Sequence, residues 1–393
     1  MNDIKFMFNL IRAVVWDNNY PEASDKIDWK KIYDIAVSHG ISNLLAYGII
    51  KAGYNIPNEI FSLYQKDMYS GLIICENQTQ AFKKIFEDFD NSGIEYMPVK
   101  GTVIREIYPS PDMRTMTDGD FLIHDYDFEK FNQIMIANGY TYDGESNHEY
   151  NYTKLPVVRI ELHKYLVPTY NYDWYEYYGD GWKYAEKSPK GLTRYELGVE
   201  NHFVYIITHF AKHYRDGGVG IKPVIDIWLY KKRHVDMNIE LVDKALEKLN
   251  LKEFYSHIEE LSIAWFENGE YSDLVEDMTE FILDSNSFGL EENKKIAETI
   301  RKNEHENLDN VSRLRYVRAV FPSLEHMTKL YPVLSDKTWL LPLFWIKRIF
   351  SRGIFGNKTI NEQIKTADII KSDNIAKFSR HIENVGLDIY NGK

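Results

Sequence analysis

The chain is poor in cysteine and in long apolar runs. Its 393 residues include one cysteine, Cys75, which excludes an intramolecular disulfide and a cysteine-based zinc site. No segment has the roughly 18 consecutive apolar residues that a membrane helix needs. The first residues are not typical of a signal peptide. We therefore expect a cytoplasmic protein.

Positive charge is also scarce. The chain has 47 Lys and Arg against 59 Asp and Glu, which gives a formal net charge of −12. Phosphate contacts require clustered basic residues, so this balance argues against a broad nucleic-acid surface and leaves only a local basic groove open. Aromatic residues are abundant at 15%, with 29 Tyr. Tyrosine can stack on bases or sugars, and it also serves as an amphipathic residue at the edge of a core.

The predicted elements divide the chain into four regions. Residues 1–91 and 193–393 have helical patterns, residues 92–165 have the pattern of an α/β core, and residues 166–192 form an aromatic linker. We expect an α+β fold in which a small mixed β-sheet is flanked by N-terminal and C-terminal helical regions. The linker could also serve partly as a lid over a binding site.

Two short predicted strands carry acidic residues at alternating positions. Asp118 and Asp120 project to one side of the first strand, because residues two apart in a strand share a face. Glu161 shares a face of the second strand with His163, and apolar residues line the opposite faces of both strands. If the two strands are neighbours, three carboxylates converge.

Converging carboxylates repel one another unless a positive charge lies between them. Mg²⁺ is bound by one or two carboxylates together with phosphate and water, and a pair of such ions can support an in-line displacement. The spacing therefore favours phosphoryl or nucleotidyl transfer with Mg²⁺ or Mn²⁺, and the alternative is a solvated acidic turn beside Gly119. Because the cluster is repulsive without metal, Asp120→Asn is expected to leave the fold intact.

Basic and histidine residues supply further candidates. A short helix predicted after Lys100-Gly101 would point its first N–H groups at an anion, and Arg114 could reach a phosphate or brace the aspartates. His148, in a predicted hairpin, is expected to be an exposed loop residue. His163 is the better candidate for the site.

A histidine pair in the C-terminal region permits two interpretations. His209 and His213 are four residues apart on a predicted helix, and Asp226 follows on the next. This spacing is found among zinc ligands. Structural histidines that hydrogen-bond to a carboxylate are the commoner outcome.

Taken in chain order, the motifs form one set: Lys100-Gly101-Thr102, Arg114, Asp118, Asp120 and Glu161-Leu162-His163. This set resembles the nucleotidyltransferase superfamily of the DNA polymerase β fold, and more narrowly a large bacterial family of poorly characterised nucleotidyltransferases. Two positions depart from the superfamily pattern. Lys100-Gly101-Thr102 stands where Gly-Ser is common, and Gly119 stands where an apolar residue is usual.

The resemblance implies a nucleotidyltransferase core and assigns roles to its residues. It implies that Asp118 and Asp120 hold two metal ions and that Glu161 binds the catalytic ion and helps to activate an acceptor hydroxyl. The residues expected to bind the nucleotide are Lys100, Gly101, Thr102 and Arg114. The residues expected to line the cleft are His163, His209, His213 and Asp226.

We therefore expect a two-metal enzyme that moves a nucleotide monophosphate, usually AMP, from an NTP to a hydroxyl or phosphate. The acceptor would be a small molecule, a protein or, least favoured by the acidic charge, RNA. One alternative is a nucleotide-binding module of the same fold that has no catalytic activity. Gly119, a departure from the superfamily pattern, would then be a sign that the activity was lost. A second alternative is a metallohydrolase built on His209, His213 and Asp226.

Overall fold

The computed structural model describes most of the chain. The described residues are 2–146, 148–155, 158–287, 289–302, 321, 323, 324, 327, 328, 331–351, 369 and 372–388. They form two compact units. The first contains the described residues through Lys212 and those from Val219 to Ser287, and the second contains His213–Gly218 and the described residues from Gly289 onward.

A five-stranded mixed sheet lies at the centre of the first unit, as the sequence predicts. Its strands are β1 (Tyr96–Pro98), β2 (Gly119–Ile123), β3 (Thr141–Glu145), β4 (Glu149–Lys154) and β5 (Val158–His163). Their order across the sheet is β1-β2-β5-β4-β3. Strands β2 and β5 are parallel neighbours, and the other pairs are antiparallel.

Alternation along β2 and β5 divides the sheet into a core face and a polar face. Phe121, Ile123, Ile160 and Leu162 belong to one buried apolar cluster, together with residues of the helix that precedes the sheet. Because side chains alternate in a strand, Asp120, Glu161 and His163 emerge on the opposite face. The apolar residues thus hold the polar ones in position.

Four helices precede the sheet: α1 (Asn2–Trp16), α2 (Trp29–Ser38), α3 (Ser42–Ala52) and α4 (Asn58–Ser92). Asp28 caps α2 by accepting a hydrogen bond from the Lys31 N–H at 2.9 Å, as expected of an N-terminal aspartate. Gly93 ends α4 in the left-handed conformation. Phe82, Ile85 and Phe89 of α4 are buried against the sheet.

Short elements connect β1 to β3. Helix α5 (Gly101–Ile104) follows β1 and continues as a 3₁₀ turn (Arg105–Ile107), and α6 (Phe128–Ala137) joins β2 to β3. The polar face of the sheet is therefore reached from the turn between β1 and α5, which contains Lys100.

The aromatic segment contains more regular structure than predicted. It forms α7 (Tyr172–Tyr178) and strand β6 (Ala185–Lys187), which pairs with β7 (Tyr195–Leu197). Strand β7 lies where only helices are predicted. The segment is anchored to the sheet, because Tyr96 donates its N–H to the Thr193 carbonyl at 3.3 Å. Helices then follow: α8 (Val199–Arg215), α9 (Lys222–Arg233), α10 (Ile239–Lys248), α11 (Lys252–Phe266) and α12 (Asp273–Asp284).

The second unit is helical where it is described. It contains α13 (Glu291–Lys302), α14 (Leu341–Ser351) and α15 (Ser372–Asn384). The hydroxyl of Tyr214 lies 2.9 Å from His381 Nε2. The helices predicted for residues 303–320 and 352–368 lie outside the described residues. Within the described parts of the chain, no helix is long and apolar enough to cross a membrane.

Gly119 is explained by packing at the start of β2. A Cβ at this position would lie 2.4 Å from the Phe82 ring. That ring is 2% exposed and packs edge-on against Phe121 at 5.3 Å, so it has little room to move. The glycine allows α4 to approach the strand closely.

We predict that Gly119→Ala destabilises the fold. Alanine normally stabilises a strand relative to glycine, by roughly 0.5–1 kcal/mol, whereas overpacking a core costs about 1–3 kcal/mol. Urea unfolding should therefore give a lower free energy of unfolding for the variant. In a Phe82→Leu background, which makes room at the clash, the same substitution should cost less. A gain in stability from Gly119→Ala alone would show that Phe82 does not require the glycine.

Candidate active site

The three predicted carboxylates lie together at the start of β2 and the middle of β5. Asp120 is the direct parallel neighbour of Glu161. Ligand atoms of Asp120, Glu161 and His163 all lie within 4.8 Å of one another. Asp118 is close enough that the charge of Asp120 acts on it. The expected convergence of two strands therefore occurs.

Lys100 lies among these carboxylates. Its Nζ donates a hydrogen bond to Asp120 Oδ1 at 2.7 Å, and its side chain is 13% exposed. The backbone of Lys100 has φ 52° and ψ −132°, a conformation that is costly for a residue with a side chain and that occurs at functional sites. The fold thus holds Lys100 in a strained turn that brings its ammonium group to Asp120.

His163 also binds Asp120 and is almost completely buried. Its Nε2 lies 2.8 Å from Asp120 Oδ1 and 3.6 Å from Glu161 Oε2. The same Nε2 lies 3.1 Å from Lys100 Nζ, so the tautomer of the ring decides whether this nitrogen donates to Asp120 or accepts from Lys100. Burial and the charge of Lys100 lower the pKa of His163, which favours the neutral imidazole.

The carboxylates differ in their protonation. Burial opposes ionisation of Asp120, but Lys100 and the hydrogen bond from His163 hold its pKa well below the usual range. Burial and the charge of Asp120 raise the pKa of Glu161 to about 8. The same two causes raise the pKa of Asp118. One lysine therefore does not neutralise the cluster, and Glu161 retains a proton near neutral pH.

The Lys100 ion pair argues against the expectation that Asp120→Asn leaves the fold intact. Removing the carboxylate would leave a buried ammonium without its charged partner, which is strongly destabilising. Asp118 has no such pair with Lys100 among the described contacts, so Asp118→Asn is the better variant for removing negative charge while keeping the fold.

The start of strand β4 adds two residues to the site that were not predicted there: Glu149, the first residue of the strand, and His148, which precedes it. Glu149 lies opposite His163 in the antiparallel pair of β4 and β5, and its Oε2 is 3.5 Å from His163 Nδ1. His148 was expected to be exposed, but its side chain is only 14% exposed and its Nε2 lies 3.1 Å from Glu149 Oε2. The alternation of Tyr150 and Tyr152 with polar residues was the signal available in the sequence. Both tyrosines are buried on the core face, which places Glu149 on the polar face.

The predicted nucleotide-binding residues have structural partners. Thr102 Oγ1 accepts a hydrogen bond from the Asp120 N–H at 3.2 Å. A Cβ at Gly101 would lie 2.6 Å from Arg114 Nη1, so the glycine gives the guanidinium its space. Arg114 donates to both oxygens of Asp226, with Nη2 at 2.7 Å from Oδ2.

Asp226 is therefore bound to residues of the α/β core. Besides Arg114, it accepts a hydrogen bond from the Tyr108 hydroxyl at 2.8 Å. Asp226 and the Arg114 side chain are 5% and 14% exposed, respectively. The pair links α9 to the segment that leads into β2, and it supports the position of Asp118 and Asp120.

His209 and His213, the two histidines predicted to share a helical face, belong to different units of the structure. His209 lies on α8 in the first unit, with its ring centroid 6.2 Å from that of Tyr205. Tyr205 is buried near Lys100, whose charge acts on the pKa of its phenol. His213 belongs to the second unit. Two clusters in the described chain could hold a metal, Asp120–Glu161–His163 and His148–Glu149–His163, and neither includes His209, His213 or Asp226.

We predict that Asp226→Ala costs about 3–5 kcal/mol of unfolding free energy, because it leaves Arg114 buried without a partner. Asp226→Asn should cost less, since the amide oxygen still accepts a hydrogen bond. Asp34→Ala is a matched control that removes an exposed ion pair with Lys30, and its effect should stay within about 0.5 kcal/mol. Equal losses for Asp226→Ala and Asp34→Ala in urea unfolding would contradict a supporting role for the buried pair.

Comparisons with known proteins agree with this arrangement. A family model described as "Uncharacterised nucleotidyltransferase" matches residues 25–267, which is well over half of the chain and includes every residue of the carboxylate cluster. No curated protein and no solved structure gives a match. The chain therefore belongs to this family of uncharacterised nucleotidyltransferases.

Proposed function

We propose that the protein is a metal-dependent enzyme that transfers a nucleotide monophosphate, in the first instance AMP, from an NTP to a hydroxyl or phosphate acceptor. The observation that carries this proposal is the placement of Asp120 beside Glu161 across two parallel strands, with Asp118 next to them. Family membership gives the class of reaction. The side chains supply the chemistry for it.

The cluster fits a divalent cation. Three carboxylates face one ammonium group, and the pKa of Glu161 is raised to about 8 because burial and the Asp120 charge disfavour its anion. The carboxylates of the site therefore outnumber its positive charges, and a bound cation would reduce the repulsion among them. Asp118, Asp120 and Glu161 would hold Mg²⁺ or Mn²⁺, which polarises phosphoryl oxygens and lowers the pKa of a bound hydroxyl.

The side chains of the site have separate tasks in this proposal. Glu161, which would be ionised when a cation is bound beside it, would accept the proton of the acceptor hydroxyl. Lys100 places a fixed positive charge where phosphate oxygens of the NTP would lie. His163 orients Asp120 through its hydrogen bond, and Thr102 fixes the backbone of Asp120. Arg114 supports the site through Asp226, so its predicted contact with the triphosphate would require that pair to rearrange.

The alternatives have less support. Gly119 suggested a site that binds nucleotides without reacting, but Phe82 accounts for the glycine through close packing. A metallohydrolase centred on His209, His213 and Asp226 would need Asp226 as a ligand. Asp226 already accepts hydrogen bonds from Arg114 and Tyr108.

An isotope experiment tests the proposal. The full chain is incubated with cell extract, Mg²⁺ or Mn²⁺, and each of the four NTPs labelled at the α-phosphate or at the γ-phosphate. Nucleotidyl transfer should move α-label onto an acceptor and leave γ-label in pyrophosphate. Transfer of γ-label would indicate a kinase instead, and binding without turnover would indicate the non-reacting module.

In the same assay we predict that Asp118→Asn lowers transfer by at least about 100-fold, typical of removing a key electrostatic group. Asp125→Asn is the matched control, because it belongs to a second Asp-x-Asp sequence with an exposed carboxylate. Thermal melting should show an intact fold for Asp118→Asn and a smaller stabilisation by Mg²⁺-ATP than in the wild type. Full transfer by a folded Asp118→Asn protein would remove Asp118 from the proposed metal site.

The raised pKa of Glu161 gives a pH-dependent prediction for the metal-free protein. Its pKa in the folded protein, about 8, lies above the ordinary value of 4.5 for a glutamate, so the native state binds the proton more tightly. The corresponding stability is complete below pH 4.5 and is lost as the pH rises through 8. Glu161→Gln removes this loss, so its stability relative to wild type should rise between pH 5 and pH 8.5 when followed by urea unfolding in EDTA. Parallel stability curves would show that Glu161 ionises normally.

A further inference from the structure

We propose that His148, Glu149 and His163 form a second metal site, next to the carboxylate cluster, for a divalent ion that binds imidazole well, such as Zn²⁺. The proposal concerns a different ion from the Mg²⁺ or Mn²⁺ of the transfer reaction. It is independent of the proposed function, because it depends only on these three side chains and their surroundings.

The three side chains converge where β4 begins and β5 ends. Glu149 and His163 are directly opposed across the antiparallel pair, and His148 precedes Glu149. Ligand atoms of the three residues lie within 4.8 Å of one another. The two imidazole ring centroids are 5.5 Å apart. A small inward movement of the side chains would bring one nitrogen from each ring and one carboxylate oxygen onto a single ion.

The hydrogen bond to Asp120 determines which nitrogen of His163 is available. His163 Nε2 lies 2.8 Å from Asp120 Oδ1 and 3.1 Å from Lys100 Nζ. In the tautomer that donates Nε2–H to Asp120, the neutral ring presents an unprotonated Nδ1 on its other side. His163 is 1% exposed, and its Nδ1 makes no hydrogen bond to any residue that the structure describes. Metal-binding histidines commonly donate their other ring N–H to a carboxylate in this way.

The electrostatics at Nδ1 favour a positive partner. In the tautomer with the proton on Nε2, the Nδ1 lone pair faces Glu149 Oε2 at 3.5 Å, so two electron-rich atoms oppose each other in a buried place. A polar atom buried without a partner is costly, and a cation between the lone pair and the carboxylate would remove that cost. Lys100 and Lys212 add positive charge near His148, and the carboxylate of Asp120 acts against it.

The ligand types distinguish this site from the carboxylate cluster. Imidazole suits Zn²⁺, Fe²⁺ and related ions, whereas Mg²⁺ prefers oxygen ligands throughout. The His148 and Glu149 side chains are 14% and 15% exposed, which leaves a route for an ion from solvent. Through His163, an ion here would hold the ring that orients Asp120.

Metal titration tests the proposal without an activity assay. Untagged full-length protein is stripped with EDTA and titrated with Zn²⁺ against a chromophoric chelator, in excess Mg²⁺ so that the carboxylate cluster is saturated. We expect one Zn²⁺ per chain. Co²⁺ should give visible absorption bands at the same stoichiometry. His148→Ala should weaken Zn²⁺ binding by about 100-fold, and Glu149→Gln should do the same if the first variant does not fold.

Two matched variants make the result specific. His124→Ala removes a histidine that pairs with Glu95 outside the cluster, and it should leave Zn²⁺ affinity unchanged. Asp118→Asn should also retain Zn²⁺ binding, even though it disables the proposed transfer site. Failure to bind one Zn²⁺, binding that survives in both His148→Ala and Glu149→Gln, or loss of Zn²⁺ in Asp118→Asn would each overturn the second site.

Discussion

Repulsion among carboxylates on one face of the sheet is the constraint around which the rest of the site is arranged. Asp118, Asp120, Glu161 and Glu149 are brought together by the pairing of β5 with β2 and β4. Like charges in a buried place are tolerated only when they are protonated, paired or bound to a cation. The site uses two of these solutions. Asp120 is paired with Lys100, and Glu161 retains a proton.

The fold stabilises this arrangement from two directions. On the core side, α4 packs so closely that β2 must begin with Gly119, and this contact fixes the strand between the two aspartates. From the helical side, Asp226 of α9 binds Arg114, and Gly101 provides the space for the guanidinium. The helices around the sheet therefore position the acidic residues as well as covering them.

The regular part of this structure was predictable from the sequence. Alternation along Asp118–Ile123 and Val158–His163 identified both strands and the face that each acidic residue occupies, because a strand has a fixed two-residue period. The neighbouring placement of the strands followed only from the family resemblance. That resemblance is now confirmed by the family match.

Contacts between distant residues were not predictable. Nothing in the sequence indicates that Lys100 reaches Asp120, because that contact depends on a residue with positive φ in the turn after β1. His148 was misjudged because burial in a hairpin depends on which strand it faces. The β6–β7 ribbon was missed because its strands are three residues long and are stabilised by the neighbouring sheet rather than by their own pattern.

The most direct test of the account is a crystal structure of the full chain with Mn²⁺ and a non-hydrolysable NTP analogue, with anomalous diffraction recorded at the manganese edge. The account predicts manganese at about 2.1 Å from carboxylate oxygens of Asp118, Asp120 and Glu161, with the triphosphate against the ion and Lys100. Manganese and nucleotide bound away from these three carboxylates would contradict it.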